Sequence, residues 1–162
     1  MRILGIDPGS RITGVGIIDG ERLVHAESLR LGSGPMPERL GEIYRRLTQL
    51  LAEFQPEVAA VETVFMSRNP QAAIKLGQAR GAAICALVGY GLDVHEYAPR
   101  AIKQALVGRG AAAKEQVQHM TRAILKTRQP FGEDAADALA VALCHHHTSQ
   151  TNARLPAGVV LR

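Results

Sequence analysis

The sequence predicts an α/β fold: a five-stranded mixed sheet in which a three-strand antiparallel meander leads into parallel strands, flanked by helices. Three observations point there. The first 31 residues hold three short β-type runs separated by turn signals, the middle of the chain alternates helix and strand, and only helical patterns follow residue 97.

The first strand runs from Arg2 to Asp7, where Ile3, Leu4 and Ile6 lead into the turn signal Asp7-Pro8-Gly9. Thr13 to Ile18 is the second, with Gly14 and Gly16 alternating with Val15 and Ile17. Asp19-Gly20 makes a hairpin turn into a third strand, Leu23 to Leu31, and Gly32-Ser33-Gly34-Pro35 then breaks the pattern. A helix follows from Pro37 to Phe54: Leu40, Ile43, Leu47, Leu50, Leu51 and Phe54 share one face, while Glu42, Arg45, Arg46 and Glu53 lie opposite. Pro56 stops it. Glu57 to Glu62 is a fourth, apolar strand that ends in a carboxylate. Asn69-Pro70 supplies an N-cap and a first-turn proline for a helix reaching Val88, and Leu92 to Tyr97 is the fifth strand. Three more helices span Pro99 to Val107, Ala112 to Lys126 and Glu133 to His147.

A length of 162 residues suits one domain, which we place at 1–148, leaving 149–162 as a flexible tail without periodicity. The longest uncharged apolar run, Gly81 to Leu92, falls short of the roughly 20 residues that a membrane span needs, and no secretory signal pattern opens the chain. Cys85 and Cys144, the two cysteines, lack CxxC spacing, so reduced thiols, both buried as small hydrophobes, and a cytoplasmic location are expected. The net charge of +4 is unevenly spread. Between Arg100 and Arg128 seven bases face Glu115 alone, a local +6 that leaves the remainder at −2. Arg68, Lys75 and Arg80 lie in a second stretch, Thr63 to Leu92, that contains no acid. Clustered cations on an otherwise neutral body suit a polyanion, nucleic acid first.

Asp7 and Glu62 each close a strand, so parallel central strands would bring both carboxylates to one crevice at the strands' carboxyl ends. Asp134 and Asp137 stand three apart on one helix face. Taken singly, each has a structural reading: a turn cap for Asp7, a solvated strand end for Glu62, a first-turn helix acid for Asp134 and an ion-pair role for Asp137, less easily supplied because Val141 rather than a base stands four positions later. Together they form an oxygen-only ligand set that favours magnesium or manganese over zinc. Two such ions can activate a water and stabilise the leaving oxygen of a phosphodiester. His145-His146-His147 is not read as a metal tract, because consecutive helix residues point in different directions.

Five segments, LGIDPGSRITGVG (4–16), VETVFMSRN (61–69), KLGQARG (75–81), KEQVQHM (114–120) and DAADALAVA (134–142), resemble, in order and spacing, those of the RuvC-type Holliday-junction resolvases. The resemblance implies an RNase H-like fold and a magnesium-dependent endonuclease that nicks opposed strands of a four-way DNA junction in recombination and repair. It implies that Asp7, Glu62, Asp134 and Asp137 are catalytic ligands of two Mg2+ per subunit, with Mn2+ able to substitute. Some relatives carry His where Asp134 stands, so the all-carboxylate version applies here. Phe65 corresponds to an aromatic that contacts junction bases, and Lys103 and Lys114 to bases beside the cut strand. The small-residue stripe Ala73, Gly77 and Gly81 either packs within the fold or, as the resemblance implies, lies where a two-fold homodimer joins. A branch-migration complex, comprising a junction-binding tetramer and a hexameric ATPase motor, is the further implied partner. The alternatives are an actin-like kinase, whose second lobe 162 residues cannot hold, an RNA-cutting nuclease of the same fold, and a silent junction-binding module.

Overall fold

The computed structural model describes residues 1–63 and 69–154. The element order is β1 (Arg2–Asp7), β2 (Ile12–Asp19), β3 (Arg22–Arg30), α1 (Met36–Phe54), β4 (Val58–Glu62), α2 (Pro70–Gly89), β5 (Val94–Tyr97), α3 (Pro99–Val107), α4 (Lys114–Leu125) and α5 (Glu133–Arg154). The five strands form one sheet in the order β3-β2-β1-β4-β5. The β1–β2 and β2–β3 pairs are antiparallel, whereas β1–β4 and β4–β5 are parallel. The mixed sheet expected from the sequence is therefore present, with β1 at its centre.

Strand alternation sends side chains to two separate cores. Leu4, Ile6, Val15, Ile17, Ala59 and Val61 pack under α1 and α2, against Ile43, Leu47, Leu50 and Leu87. Ile3, Ile18, Val58 and Ala60 face the other way, onto α3, α4 and α5. Having burial on both faces explains why β1, β2 and β4 read as near-continuous apolar runs. Asn69 starts α2, its Oδ1 accepting from the amide of Gln71 at 3.0 Å and that of Ala72 at 3.4 Å.

Helix α5 lies directly on the sheet because three strand glycines, Gly5, Gly14 and Gly16, leave room for it. A Cβ on Gly5 would come within 2.1 Å of the Ala138 carbonyl oxygen, and one on Gly14 within 1.9 Å of the Asp134 carbonyl oxygen. The alanines of α5 complete this close fit: Ala135, Ala136, Ala138, Ala140 and Ala142 are all buried.

Two expectations need correction. Helix α5 continues to Arg154, so residues 149–154 are helical rather than the start of a tail. The Ser149 and Thr151 hydroxyls donate back to the His146 and His147 carbonyls of the same helix, and Thr148 and Thr151 line a pocket with Tyr97, Ala101 and Ala105. Cys144 is buried as expected, but Cys85 is exposed on the outer side of α2.

Candidate active site

Asp7 shares the β1 face of Ile3 and Gly5, and Glu62 shares the β4 face of Val58 and Ala60, so both carboxylates point toward α5. The parallel register pairs Ile6 with Val61, which sets Asp7 and Glu62 side by side at the carboxyl ends of adjacent strands. On its other side Asp7 is paired with Gly14, the residue against which the Asp134 backbone rests. Bare glycine in β2 thus brings the first turn of α5 down to the strand ends, and Asp137 follows one turn later.

This crowding is visible in the protonation of the site. Burial first, then the charge of Glu62, its hydrogen bond, and the charges of Asp137 and Asp134 push the Asp7 carboxyl up to about 8. Burial also raises Glu62, while its bond with Asp7 and the charges of Lys114 and Lys103 pull it back. Lys114 meets Asp137 Oδ2 at 2.9 Å and Glu133 Oε2 at 3.7 Å, and its pairing with Asp137 holds the ammonium above its ordinary value. Lys103, Lys114, Glu62 and Asp137 line a cleft of about 180 Å³ whose apolar walls are Ile102, Val117 and Ala140.

The repulsion is eased here by the hydrogen bond between Asp7 and Glu62 and by the Lys114–Asp137 pair. Among the described residues, no three His, Cys, Asp or Glu side chains are gathered as a closed metal cage. The donor chemistry nevertheless fits a hard divalent cation. All four groups are carboxylates, and a cation between them would relieve the burden that now raises Asp7.

The other candidate residues divide clearly. Lys75 is exposed on α2, whereas Arg80 is engaged in an ion pair with Glu96. Phe65 and Arg68 lie outside the described residues. Gly77 and Gly81 are exposed, and among the described residues a Cβ on either would meet nothing within 4 Å, while Ala73 is half-buried. The two glycines are therefore not packed against the described part of the fold. Ile74, 62% exposed, and Val88, 57% exposed, border the stripe on the same helix. The three consecutive histidines diverge: His145 Nδ1 meets the Tyr97 hydroxyl at 2.8 Å, His146 pairs with Gln150, and His147 approaches Glu21. Burial and the neighbouring His95 and His146 push His145 down to about 4, so it stays neutral. Sequence reasoning passed over Gln118, which stands one turn beyond Lys114 on α4 and reaches Asp137 Oδ1 at 3.5 Å. The i, i+4 spacing within KEQVQHM was the available signal.

A family model described as "Crossover junction endodeoxyribonuclease RuvC" matches residues 3–145. The chain is similar to the protein of that name from Alkalilimnicola ehrlichii, 58% identical over 158 residues that cover 95% of this chain and 96% of the relative. It is likewise 54% identical to the one from Marinobacter nauticus, over 94% of this chain and 90% of the relative. Among solved structures it is similar to Thermus thermophilus RuvC in complex with Holliday junction substrate. That match has 40% identity and a TM-score of 0.87, and covers 93% of this chain and 96% of the other.

Proposed function

The chain belongs to the RuvC family of crossover junction endodeoxyribonucleases, and from that premise we propose how its own residues resolve four-way DNA junctions. It is a metal-dependent phosphodiester hydrolase acting on Holliday junctions in recombination and repair. The observation that carries the site is the convergence of Asp7 and Glu62, from adjacent parallel strands, on the α5 turn that bears Asp134 and Asp137.

Asp7, Glu62, Asp134 and Asp137 would hold two divalent cations, Mg2+ with Mn2+ as substitute, which when bound supply water activation and charge stabilisation at the leaving oxygen. Lys114 and Lys103 flank the cleft and hold positive charge toward a phosphate entering it. Lys114 also positions Asp137 through the 2.9 Å contact. Ile102, Val117 and Ala140 keep the cleft wall dry, which strengthens every charge interaction within it. Attack by water needs no covalent enzyme intermediate. Phe65, three residues beyond Glu62, is assigned to stacking on an unpaired junction base, and Arg68 and Lys75 to the backbone. Arg80 keeps a part in DNA contact only if it exchanges Glu96 for phosphate.

The stripe of half-buried Ala73 and exposed Gly77 and Gly81, with Ile74 and Val88 beside it, is assigned to a two-fold homodimer. Two identical sites would then face two symmetry-related strands of a junction. A branch-migration complex of a tetramer and a hexameric motor is the further partner. Among the described residues no helix is long and apolar enough to cross a membrane, and a cytoplasmic location is proposed.

The test is a pair of substitutions, Asp7→Asn and Asp137→Asn, assayed on a synthetic four-way junction in magnesium. Cutting should fall by more than about 100-fold, beyond the loss expected from disturbing a group behind a ligand, while junction binding stays near wild type. Retained cutting in either variant would remove that carboxylate from the metal site.

A further inference from the structure

Building on the junction reading above, we propose that a second groove, on the α1/α2 side of the sheet's carboxyl rim, binds the phosphodiester backbone of a DNA strand next to the one being cut. The groove has a volume of about 380 Å³; its lining includes Ser10, Arg11, Ser33, Arg39, Gln71 and Lys75, and none of the described residues in its wall is acidic.

Its place in the fold follows from strand direction. Strands β1, β3 and β4 all run the same way, since β2 is antiparallel to both β1 and β3 and β4 is parallel to β1. The segments leaving their carboxyl ends therefore meet at one rim. Ser10 and Arg11 follow β1, Ser33 and Arg39 follow β3, and Gln71 and Lys75 follow β4. The catalytic carboxylates occupy that same rim but turn toward α5. The two depressions are thus neighbours divided by the ends of β1 and β4. Arg11 is four residues from Asp7, at most about 14 Å of extended chain, which is about four base steps of duplex rise.

The groove's chemistry is that of a phosphate site. Arg39 is fixed by two main-chain carbonyls, its Nε donating to Gly34 at 2.7 Å and its Nη1 to Ser10 at 3.1 Å. Two of its five N–H donors are spent, which leaves three, and Arg39 has no ion-pair partner among the described residues. Arg11 and Lys75 are exposed, and neither is in an ion pair among the described residues. Ser10 and Ser33 add hydroxyl donors. A planar guanidinium held in advance, with mobile cations and hydroxyls around it, suits successive phosphates more than a base edge. The sequence singled out Lys75 alone, because Arg11 and Arg39 are distant from it along the chain.

The experiment measures binding of wild-type protein to a fluorescent four-way junction in EDTA across a series of salt concentrations, beside an Arg11→Ala/Lys75→Ala variant. Arg39 is left intact because its carbonyl bonds tie two loops together. The control is Arg22→Ala/Arg45→Ala, which removes two exposed cations paired with Asp19 and Glu42 away from the groove. Loss of two phosphate contacts should make the slope of log Kd against log salt shallower by about 2 and weaken binding several-fold, with the control near wild type. An unchanged slope in the groove variant, or an equal change in the control, overturns the groove assignment. Wild-type protein that fails to bind a junction would instead contradict the parent reading.

Discussion

Asp7 stands where burial and charge oppose ionisation most strongly, and its carboxyl is pushed up to about 8. A carboxyl raised in the folded state binds its proton more tightly there than in the unfolded chain. The stability it contributes is fully present below its ordinary value of 3.8 and is lost as pH climbs toward about 8. In EDTA, Asp7→Asn should therefore raise the melting temperature at pH 8 relative to wild type and leave the two proteins closer at pH 5. A gain of roughly 1 kcal/mol would appear as about 2–4 °C in a domain of this size. The comparison between variants matters because buried, neutral His145 acts in the opposite sense below pH 6.5, losing stability as pH falls toward about 4. A thermal scan at both pH values decides it: equal melting temperatures throughout would mean that Asp7 carries no such burden. The same substitution that stabilises the metal-free protein is expected to abolish cutting, as the metal-ligand role proposed for Asp7 requires.

Helix α5 is the element that makes the site, and its height above the sheet is set by residues that have no side chain. Gly14→Ala would place a Cβ 1.9 Å from the Asp134 carbonyl oxygen, a backbone atom that cannot swing aside. Overpacking of this kind costs about 1–3 kcal/mol, and the shift falls on the turn carrying Asp134. Cutting should drop further than the lowered melting temperature explains, when both are measured at a temperature where the variant stays folded. Gly41→Ala on α1, where an added Cβ meets nothing within 4 Å, is the matched control and should keep full activity. Most elements were legible in the sequence because their signals are local: alternating strands, the Asn69-Pro70 cap, and the amphipathic face of α1. The role of Gly14 was not, since alternation with Val15 reads as a strand whether or not a helix lies against it. The continuation of α5 past His147 escaped notice because Thr148, Ser149 and Thr151 are weak helix formers; in the fold the Ser149 and Thr151 hydroxyls bond back to the preceding turn. Cys85 was misread as buried because α2 is apolar on nearly all sides, and sequence alone does not distinguish a buried face from an outward one.

At the scale of the whole molecule, the four carboxylates were readable as strand ends and a helix pair, and the sheet order turned that reading into proximity. Their present arrangement was not readable, because the Lys114–Asp137 contact and the Asp7–Glu62 hydrogen bond depend on tertiary approach. The outer face of α2 carries the next claim. Gly81→Arg adds a long charged side chain where the described residues leave open space, so the fold should persist with little change in melting temperature. Sedimentation should then show monomers for the variant and the proposed dimer for the wild type, and the variant should lose paired nicking before it loses DNA binding. A dimer unaffected by Gly81→Arg would move the interface elsewhere. The central claim, that this carboxylate rim cuts junction DNA with a bound metal, is tested most directly by incubating the protein with an end-labelled, mobile four-way junction, with and without magnesium, and mapping the products. Symmetrically related nicks on opposed strands that appear only with magnesium are the expected result; junction binding with no cut in either magnesium or manganese would contradict the account.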